Sequence, residues 1–225
     1  MTRSMNPSFV RRSPRHLALA GLVIALGATT LSGCAPLMLG GAAASALVAT
    51  DRRTSGMQVE DQSIQIKAGN RLRDTLGGRG RVNVNAYNRT VLLTGEVDSD
   101  ADRAAAEQAA SRVENVVKVI NQLQVGPVAS LSTRSSDVLL AGKVRATLVD
   151  ARDLMSNAFD IVVERGEVYL MGLVTEREAN RAAELTASIP GVKKVVKAFE
   201  VISEDELANK LPRQPANSAP AASSN

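Results

Sequence analysis

The chain has 225 residues, and its 27 basic and 23 acidic side chains give a formal net charge of +4. Four arginines and the single histidine, His16, precede the single cysteine, Cys34. Removal of this leader would leave 23 basic and 23 acidic residues, so no net charge favours nucleic-acid binding. A chain without histidine or free thiol excludes Ser-His-Asp and Cys-His catalysis and metal sites built from His or Cys. A hydrolase that uses only carboxylates remains open, but no two acidic residues are paired in a way that suggests it. We therefore predict no enzyme, no metal, no cofactor and no nucleic-acid partner.

The first predicted element is a signal peptide. Residues 17–30 are mostly apolar and uncharged, a run of the length of a signal-peptide core and short for a membrane span. Leu31-Ser32-Gly33-Cys34 ends this run and resembles the lipobox of bacterial lipoproteins. The resemblance implies that residues 1–33 are cleaved and that Cys34 carries the lipid. The alternatives are a plain secretory signal or an uncleaved anchor helix, with no role for Cys34.

Residues 34–60 are predicted to be a lipidated tether. Residues 35–50 carry no charge and are rich in alanine and glycine. Pro36, Gly40 and Gly41 interrupt any helix there, which favours a tether over a longer membrane segment. Residues 53–56 are predicted to form a loop before the folded part begins.

A repeat occupies the middle of the chain. Residues 91–97 match residues 168–174 at a spacing of 77, and the apolar positions that follow match at 76. Upstream, Leu72 matches Val144 at a spacing of 72, which predicts about five extra residues in the second copy. These spacings predict a first module in residues 61–126, a linker in residues 127–136, and a second module in residues 137–203.

Each copy is predicted to contain the element order α-β-β-α-β. Ile64, Ala68 and Leu72 recur every four residues, as on the buried face of a helix. Alternating apolar and polar residues predict two strands, joined by a tight hairpin turn. Thr175 and Glu178 have the spacing of a capping box that begins the second helix of the second copy.

The predicted fold class is α+β, with two tandem modules that each place two helices on one face of a three-stranded mixed sheet. A module of about 65 residues buries only about 60% of its chain's surface. We therefore expect the two modules to pack against each other or against a partner. Residues 204–225 are predicted to be a disordered tail, because Pro, Ala, Ser and Asn dominate from Pro212 onward. One helical turn after Glu206 is the alternative for the start of this tail.

The short motifs of the repeat resemble the BON domain of bacterial periplasmic and envelope proteins. They are Leu-Thr-Gly-Glu-Val at 93–97, Met-Gly-Leu-Val at 171–174, Ile-Pro-Gly-Val at 189–192, and Val-x-Asn-x-Leu-x-Val at 119–125. Two such copies behind a lipobox resemble the dual BON-domain outer-membrane lipoproteins. This resemblance implies binding of anionic phospholipid, support of outer-membrane integrity, and contact with envelope or division-site proteins. It also implies attachment to the inner leaflet of the outer membrane, facing the periplasm. Ala35, where aspartate would resemble an inner-membrane retention signal, agrees with that destination.

Two groups of residues are candidates for lipid contact. Lys193, Lys194 and Lys197 lie close together in sequence beside Gly191, and three cations with an exposed backbone could hold a lipid phosphate. The alternative is a solvated strand edge protected by lysines.

The second group lies on the helix predicted at 139–150 and just beyond it. Lys143, Arg145 and Arg152 would meet headgroups while Leu154 and Met155 enter the acyl boundary. The alternative is that Leu154, Met155 and Phe159 pack inward as core. An anionic surface would repel the nearby acidic residues Asp150, Asp153 and Asp160, which favours that alternative.

Gly95, Gly172 and Gly191 are predicted to be structural, and Gly95 and Gly172 are predicted to lie where a strand bends or a helix comes close. A second class of function also remains open, in which the sheet edges or the alanine-rich helix faces dock an envelope partner.

Overall fold

The computed structural model describes residues 51–210. The signal peptide, the lipid site at Cys34, residues 34–50 of the tether and residues 211–225 of the tail lie outside the described residues. In the first module the elements are α1 Ser55–Leu76, β1 Arg81–Tyr87, β2 Thr90–Val97, α2 Asp100–Ser111 and β3 Lys118–Val125. In the second module they are α3 Leu131–Asp150, a 3₁₀ turn Ser156–Ala158, β4 Phe159–Glu164, β5 Glu167–Val174, α4 Glu176–Ala187 and β6 Lys194–Val201, followed by α5 Glu204–Lys210.

The two modules have the same sheet topology. β1 and β2 form an antiparallel hairpin, and β2 pairs with β3 in parallel, giving the order β1-β2-β3. The second sheet repeats this pattern with the order β4-β5-β6. Both residues of each two-residue turn have positive φ, which matches the twist of the flanking strands: Asn88 and Arg89, Arg165 and Gly166. The α+β fold of two tandem modules is therefore confirmed.

Each module has a core between its sheet and its two helices. In the first module Ile64 and Leu72 of α1 pack with Val91 and Leu93 of β2. Ala106 of α2 is fully buried, and its small side chain lets the helix lie close to the sheet. The second core is built in the same way from α3, α4 and β5.

The opposite faces of the two sheets form a third core between the modules. Tyr87 and Leu92 of the first sheet join Tyr169 and Met171 of the second in one cluster of buried side chains. Neither module therefore leaves the helix-free face of its sheet in water. The expectation that the modules pack against each other is confirmed.

Three segments predicted to be irregular are helical. α1 begins at Ser55, capped by the Thr54 hydroxyl, so it contains residues 55–60 of the predicted tether. α3 begins at Leu131, capped by Ser130, within the predicted linker. The Ser and Thr residues of the predicted linker are typical of a loop, but the same residue types are also the preferred helix caps. The predicted disorder of residues 204–210 is wrong, because α5 buries Leu207 in the core between the modules.

The predicted spacing of 72 between the first helices is also wrong. The Asp61 carboxylate accepts hydrogen bonds from the backbone N–H groups of Asn88 and Arg89, both at 2.8 Å. Asp137 accepts in the same way from Arg165 and Gly166, both at 2.9 Å. These equivalent contacts place the helices at a spacing of 76. An apolar pattern that repeats every four residues fits equally well after a shift of one turn, so the sequence could not fix the register.

Candidate lipid-binding surface

Helix α3 has an apolar face on each side. Leu140, Val144 and Leu148 point into the second core. On the other side, four large apolar side chains are between 60 and 73% exposed: Leu131, Val138, Leu139 and Val149. Single exposed apolar residues are ordinary on a protein surface, but a group of four on one helix is a candidate contact site. The α3 surface is defined here as these four residues together with Gly142, Lys143 and Arg145.

Basic residues lie beside the exposed apolar ones on this helix. Lys143 follows Leu139 by one turn, and Arg145 follows Val138 by two turns, so each cation lies beside exposed apolar side chains. The helix contains two acidic residues: Asp137, which is buried, and Asp150, which is exposed at its C-terminal end beside Val149. The exposed part from Leu131 to Val149 therefore combines apolar and basic groups, and one exposed carboxylate follows it.

The first module lacks the equivalent surface. At the spacing of 76, Gln62 and Ser63 of α1 correspond to Val138 and Leu139 of α3. A polar pair therefore replaces the exposed apolar pair at the centre of the surface. The two modules share a fold but present different chemistry on this helix.

A cleft of about 430 Å³ adjoins the α3 surface. Leu139 and Lys143 line one side, and the Arg165–Gly166 turn, the loop at 190–191 and Lys193 line the other. Neither Lys143 nor Lys193 forms an ion pair with any residue of 51–210. The cleft therefore presents two free ammonium groups next to an exposed leucine.

The backbone fixes the position of Lys193. Its N–H donates to the Gly166 carbonyl at 2.9 Å. A Cβ on Gly166 would lie 3.2 Å from the Lys193 side-chain stem, and Gly166 has a φ of 80°. Gly191 has a φ of 105°, a conformation that a residue with a side chain rarely adopts. Glycine at position 166 thus leaves room for the lysine stem across the turn, and glycine at position 191 allows the backbone conformation of the loop before it.

Asp137 and Arg165 hold the turn that lines this cleft. Both oxygens of the Asp137 carboxylate accept hydrogen bonds from the turn N–H groups, and the carboxylate forms no ion pair with Lys143 or Lys193. The Arg165 Nε donates to Glu96 of β2 at 2.6 Å. Arg165 therefore joins the modules, although it also borders the cleft.

The structure does not bring Lys193, Lys194 and Lys197 together. Lys194 Nζ lies 3.3 Å from Glu167 Oε2, and Lys197 donates to Asn180 Oδ1 at 2.7 Å. These two lysines are three residues apart on β6, so they lie on opposite faces of the sheet. Lys193 instead shares the cleft with Lys143, a pair that no sequence spacing could reveal because the residues belong to different elements.

Leu154 and Met155 are half-buried and pack against the second core. This arrangement agrees with the alternative that they are core residues, and it leaves little of either side chain for a membrane. The exposed apolar groups come from α3 itself, at positions between those of its buried face. That signal was present in the sequence at Leu131, Val138 and Leu139.

Gly95 and Gly172 lie away from this surface, in the centre of each sheet. A Cβ on Gly95 would lie 2.1 Å from the Arg81 carbonyl oxygen, and one on Gly172 would lie 2.3 Å from that of Ala158. The close neighbour is in each case the backbone next to the paired strand, not a helix. These glycines serve the pairing of strands and take no part in the cleft.

Other buried charges lie between the modules. Glu164 is held by Arg81 and by the Asn83 amide, the latter at 2.9 Å. Burial raises the pKa of Glu164 above its ordinary value, although the Arg81 charge opposes that effect. Among residues 51–210 no group of three acidic, His or Cys side chains is placed to hold a metal ion. None of the helices within that range has the length and apolar character to cross a membrane.

A family model of the BON domain matches residues 60–127 and residues 136–203. The chain belongs to the BON domain family. The protein named outer membrane lipoprotein DolP from Haemophilus influenzae is 39% identical over 188 residues, which cover 82% of this chain and 97% of that protein. The prediction of a dual BON-domain outer-membrane lipoprotein is thereby confirmed.

Other known proteins are more distant. The 21 kDa hemolysin of Actinobacillus pleuropneumoniae is 29% identical over 154 residues, which cover 68% of this chain and 79% of that protein. The C-terminal domain of CdsD, a structural protein of the type III secretion system of Chlamydia trachomatis, aligns with a TM-score of 0.27 at 11% identity. That alignment covers 62% of this chain and 99% of the CdsD domain. A likeness at that level does not bear on function.

Proposed function

We propose that this BON-domain protein is anchored by Cys34 in the inner leaflet of the outer membrane and supports the integrity of that membrane. In this proposal the second module binds anionic phospholipid through the α3 surface. The observation that carries the proposal is the group of exposed apolar side chains on α3 beside unpaired lysines. The proposed role involves no catalysis and no cofactor.

The apolar part of the α3 surface would enter the boundary between headgroups and acyl chains. Val138 and Leu139 are 72 and 69% exposed, so most of each side chain is available for burial. Burying a Val or Leu side chain that was exposed to water contributes about 1.5 to 3 kcal/mol. Four such residues on one helix are enough to hold it flat on a membrane surface, as interfacial helices lie.

The basic part would select the headgroup. Lys143 and Lys193 face the same cleft, and Arg145 lies beside the apolar residues on the helix. Each basic residue near an anionic membrane surface contributes about 1 kcal/mol. A phosphate in the cleft would meet two ammonium groups at once. The mature chain has no net charge, so this local group supplies the preference for anionic lipid.

The covalent lipid and the α3 surface would act together. The diacylglyceryl group that a lipobox implies has two acyl chains and would hold the chain at the membrane by itself, so the α3 surface would add a second contact rather than the attachment itself. A tether also raises the effective concentration of the module near the membrane, so a weak surface contact becomes occupied. The proposed role of the α3 surface is to orient the paired modules at the membrane that the anchor has selected.

Sedimentation with vesicles tests this proposal. The mature chain would carry Cys34→Ser to remove the lipid, and vesicles would contain phosphatidylcholine alone or mixed equally with phosphatidylglycerol. We expect binding to the mixed vesicles that weakens with added salt, because screening reduces attraction between exposed charges. Equal binding to both kinds of vesicle, or binding to neither, would contradict the proposal.

Matched variants locate the contact. Val138→Asp with Leu139→Asp should abolish sedimentation with the mixed vesicles. The control is Val59→Asp with Ile66→Asp, which places the same charges on α1 at side chains that are 71 and 56% exposed. If the control variant loses binding to the same degree, the surface assignment is wrong.

A further inference from the structure

A groove runs along the free edge of β1 in the first module. Its volume is about 510 Å³. Helix α1 forms one wall through Leu72 and Leu76, and Val162 of β4 lies on the other side. The backbone of β1 forms the floor between them.

The backbone groups on this edge are almost all unpaired. Tyr87 and Thr90 close a two-residue turn, so they form a hydrogen-bonded pair, and such pairs alternate along an antiparallel ladder. The backbone N–H and C=O groups of Val82, Val84 and Ala86 therefore point away from β2. Within residues 51–210 one side chain reaches them, the Gln65 amide, which donates to the Val84 carbonyl at 2.9 Å.

The edge also lacks the usual protection against strand addition. Edge strands are commonly blocked by lysine, proline or a covering element. Of the three other sheet edges, β3 and β6 contain lysines (Lys118, Lys194 and Lys197), whereas β4 contains none. β1 has neither lysine nor proline between Val82 and Ala86.

The wall of the groove leaves space for another chain. Gly69 lies inside α1, where glycine is unfavourable, and a Cβ there would meet no atom within 4 Å. The packing of this protein therefore gives no reason for glycine at this position. A side chain from a strand lying along β1 would fill the space beside it.

The charge at one end indicates the chemistry of the occupant. Arg73 and Arg79 line the groove near the start of β1, and no acidic residue lines it. Arg79 pairs with Asp102 at 2.8 Å, whereas Arg73 has no ion pair among the described residues. A strand added antiparallel to β1 would bring its C-terminal end to these arginines.

We propose that the β1 groove binds an extended protein segment as a fourth, antiparallel strand, with a carboxylate at the C-terminal end of that segment held by Arg73 and Arg79. Main-chain hydrogen bonds to Val82, Val84 and Ala86 would supply affinity, as in other cases of strand addition. The second module offers no equal site. The space beside β4 is about 290 Å³ and is bordered by the Arg81–Glu164 ion pair.

The test uses the full chain in detergent micelles and a pool of six-residue peptides with alternating valine, randomised at the other positions. One pool has a free carboxyl terminus and a second pool is amidated. By NMR, the free-acid pool should slow hydrogen exchange at the Val82, Val84 and Ala86 amides and bind about tenfold more tightly than the amidated pool. No change at these amides would overturn the proposal, as would equal binding by both pools.

A proline on each edge provides the matched control. Val84→Pro removes an edge N–H that makes no bond within the sheet, and it should abolish binding. Ile161→Pro makes the equivalent change on β4 and should leave binding intact; equal loss in both variants would overturn the proposal. Should Val84→Pro fail to fold, peptides N-methylated at alternate amides test the same hydrogen bonds on the unaltered protein and should not bind.

Discussion

Arg52 forms a two-pronged ion pair with Glu178, with both N–H···O distances at 2.8 Å. Arg52 precedes the first helix of the first module, and Glu178 lies in the first turn of α4 in the second. The same guanidinium donates to the Leu173 carbonyl at 2.8 Å, and both side chains are buried. The segment that leads from the predicted tether is therefore fixed to the module farther along the chain.

Removal of this arginine should destabilise the protein strongly. Arg52→Ala would leave the Glu178 carboxylate buried beside Leu173 without its partner, and breaking a buried pair in this way costs about 3 to 5 kcal/mol. The free energy of unfolding from urea titration measures the loss. Lys67→Ala, which breaks an exposed pair with Glu114, is the control and should cost less than about 1 kcal/mol. Similar losses in both variants would contradict the expectation.

The same pair should make stability depend on pH. Burial alone would raise the pKa of Glu178, but hydrogen bonds from Arg52 and from the Thr175 N–H lower it below its ordinary value of 4.5. The folded protein then binds fewer protons than the unfolded chain just below that pH, so this stability is present above about 4.5 and is lost as pH falls through the folded pKa. Glu178→Gln should flatten the fall in unfolding free energy below pH 4.5. An unchanged slope in that variant would show that Glu178 is not the group responsible.

A side chain at Gly95 should be poorly tolerated. Gly95 has a φ of 112°, and a Cβ there would meet the Arg81 carbonyl oxygen at 2.1 Å. Gly95→Ala should therefore cost about 3 kcal/mol or more through backbone strain and overpacking. Gly142→Ala is the control, because a Cβ there meets nothing within 4 Å and alanine favours a helix interior by about 1 kcal/mol. Thermal unfolding should move in opposite directions in the two variants.

The elements that the sequence predicts correctly are determined by residues that lie close together in the chain. The hairpins follow from alternation and turn residues, and the capping box of Thr175 with Glu178 is present as expected. The starts of α1 and α3 were missed because the serine and threonine residues that cap a helix also occur in loops. The sequence indicates only one turn of α5, after Glu206, because a helix of seven residues is stabilised by packing, here of Leu207, rather than by its own sequence.

The features that the sequence does not predict are contacts between residues far apart in the chain. Arg52 and Glu178 are 126 positions apart, and no periodicity relates them. The same limit applies to the candidate site, where Lys143 and Lys193 meet only because a helix and a loop of the second module border one cleft. Sequence spacing instead groups Lys193 with Lys194 and Lys197 of β6, whose side chains lie on opposite faces of the sheet.

Truncation of Leu207 should weaken the contact between α5 and the modules. Its side chain is 8% exposed and lies in the core between the two sheets. Leu207→Ala should lower the free energy of unfolding by about 2 to 4 kcal/mol. Leu131→Ala, at a side chain that is 73% exposed, should change it by less than about 0.5 kcal/mol. Equal effects would mean that α5 does not stabilise the pair of modules.

Asp61 and Asp137 should act as equivalent clamps in the two modules. Each carboxylate accepts hydrogen bonds from two backbone N–H groups in the hairpin turn of its own module. An asparagine there would place its NH2 group, a donor, against one of these N–H donors. Asp137→Asn should cost about 1 to 3 kcal/mol, the penalty for a buried polar group left without a partner. Asp61→Asn should cost more, because Asp61 Oδ2 also accepts from Arg53 Nη1 at 2.8 Å and the substitution removes that ion pair. Amide exchange should speed up at 88–89 in Asp61→Asn and at 165–166 in Asp137→Asn. Asp74→Asn and Asp150→Asn alter exposed carboxylates on the same two helices and should leave both measurements unchanged. Loss of protection at both turns in either single variant would show that the modules do not hold their hairpins independently.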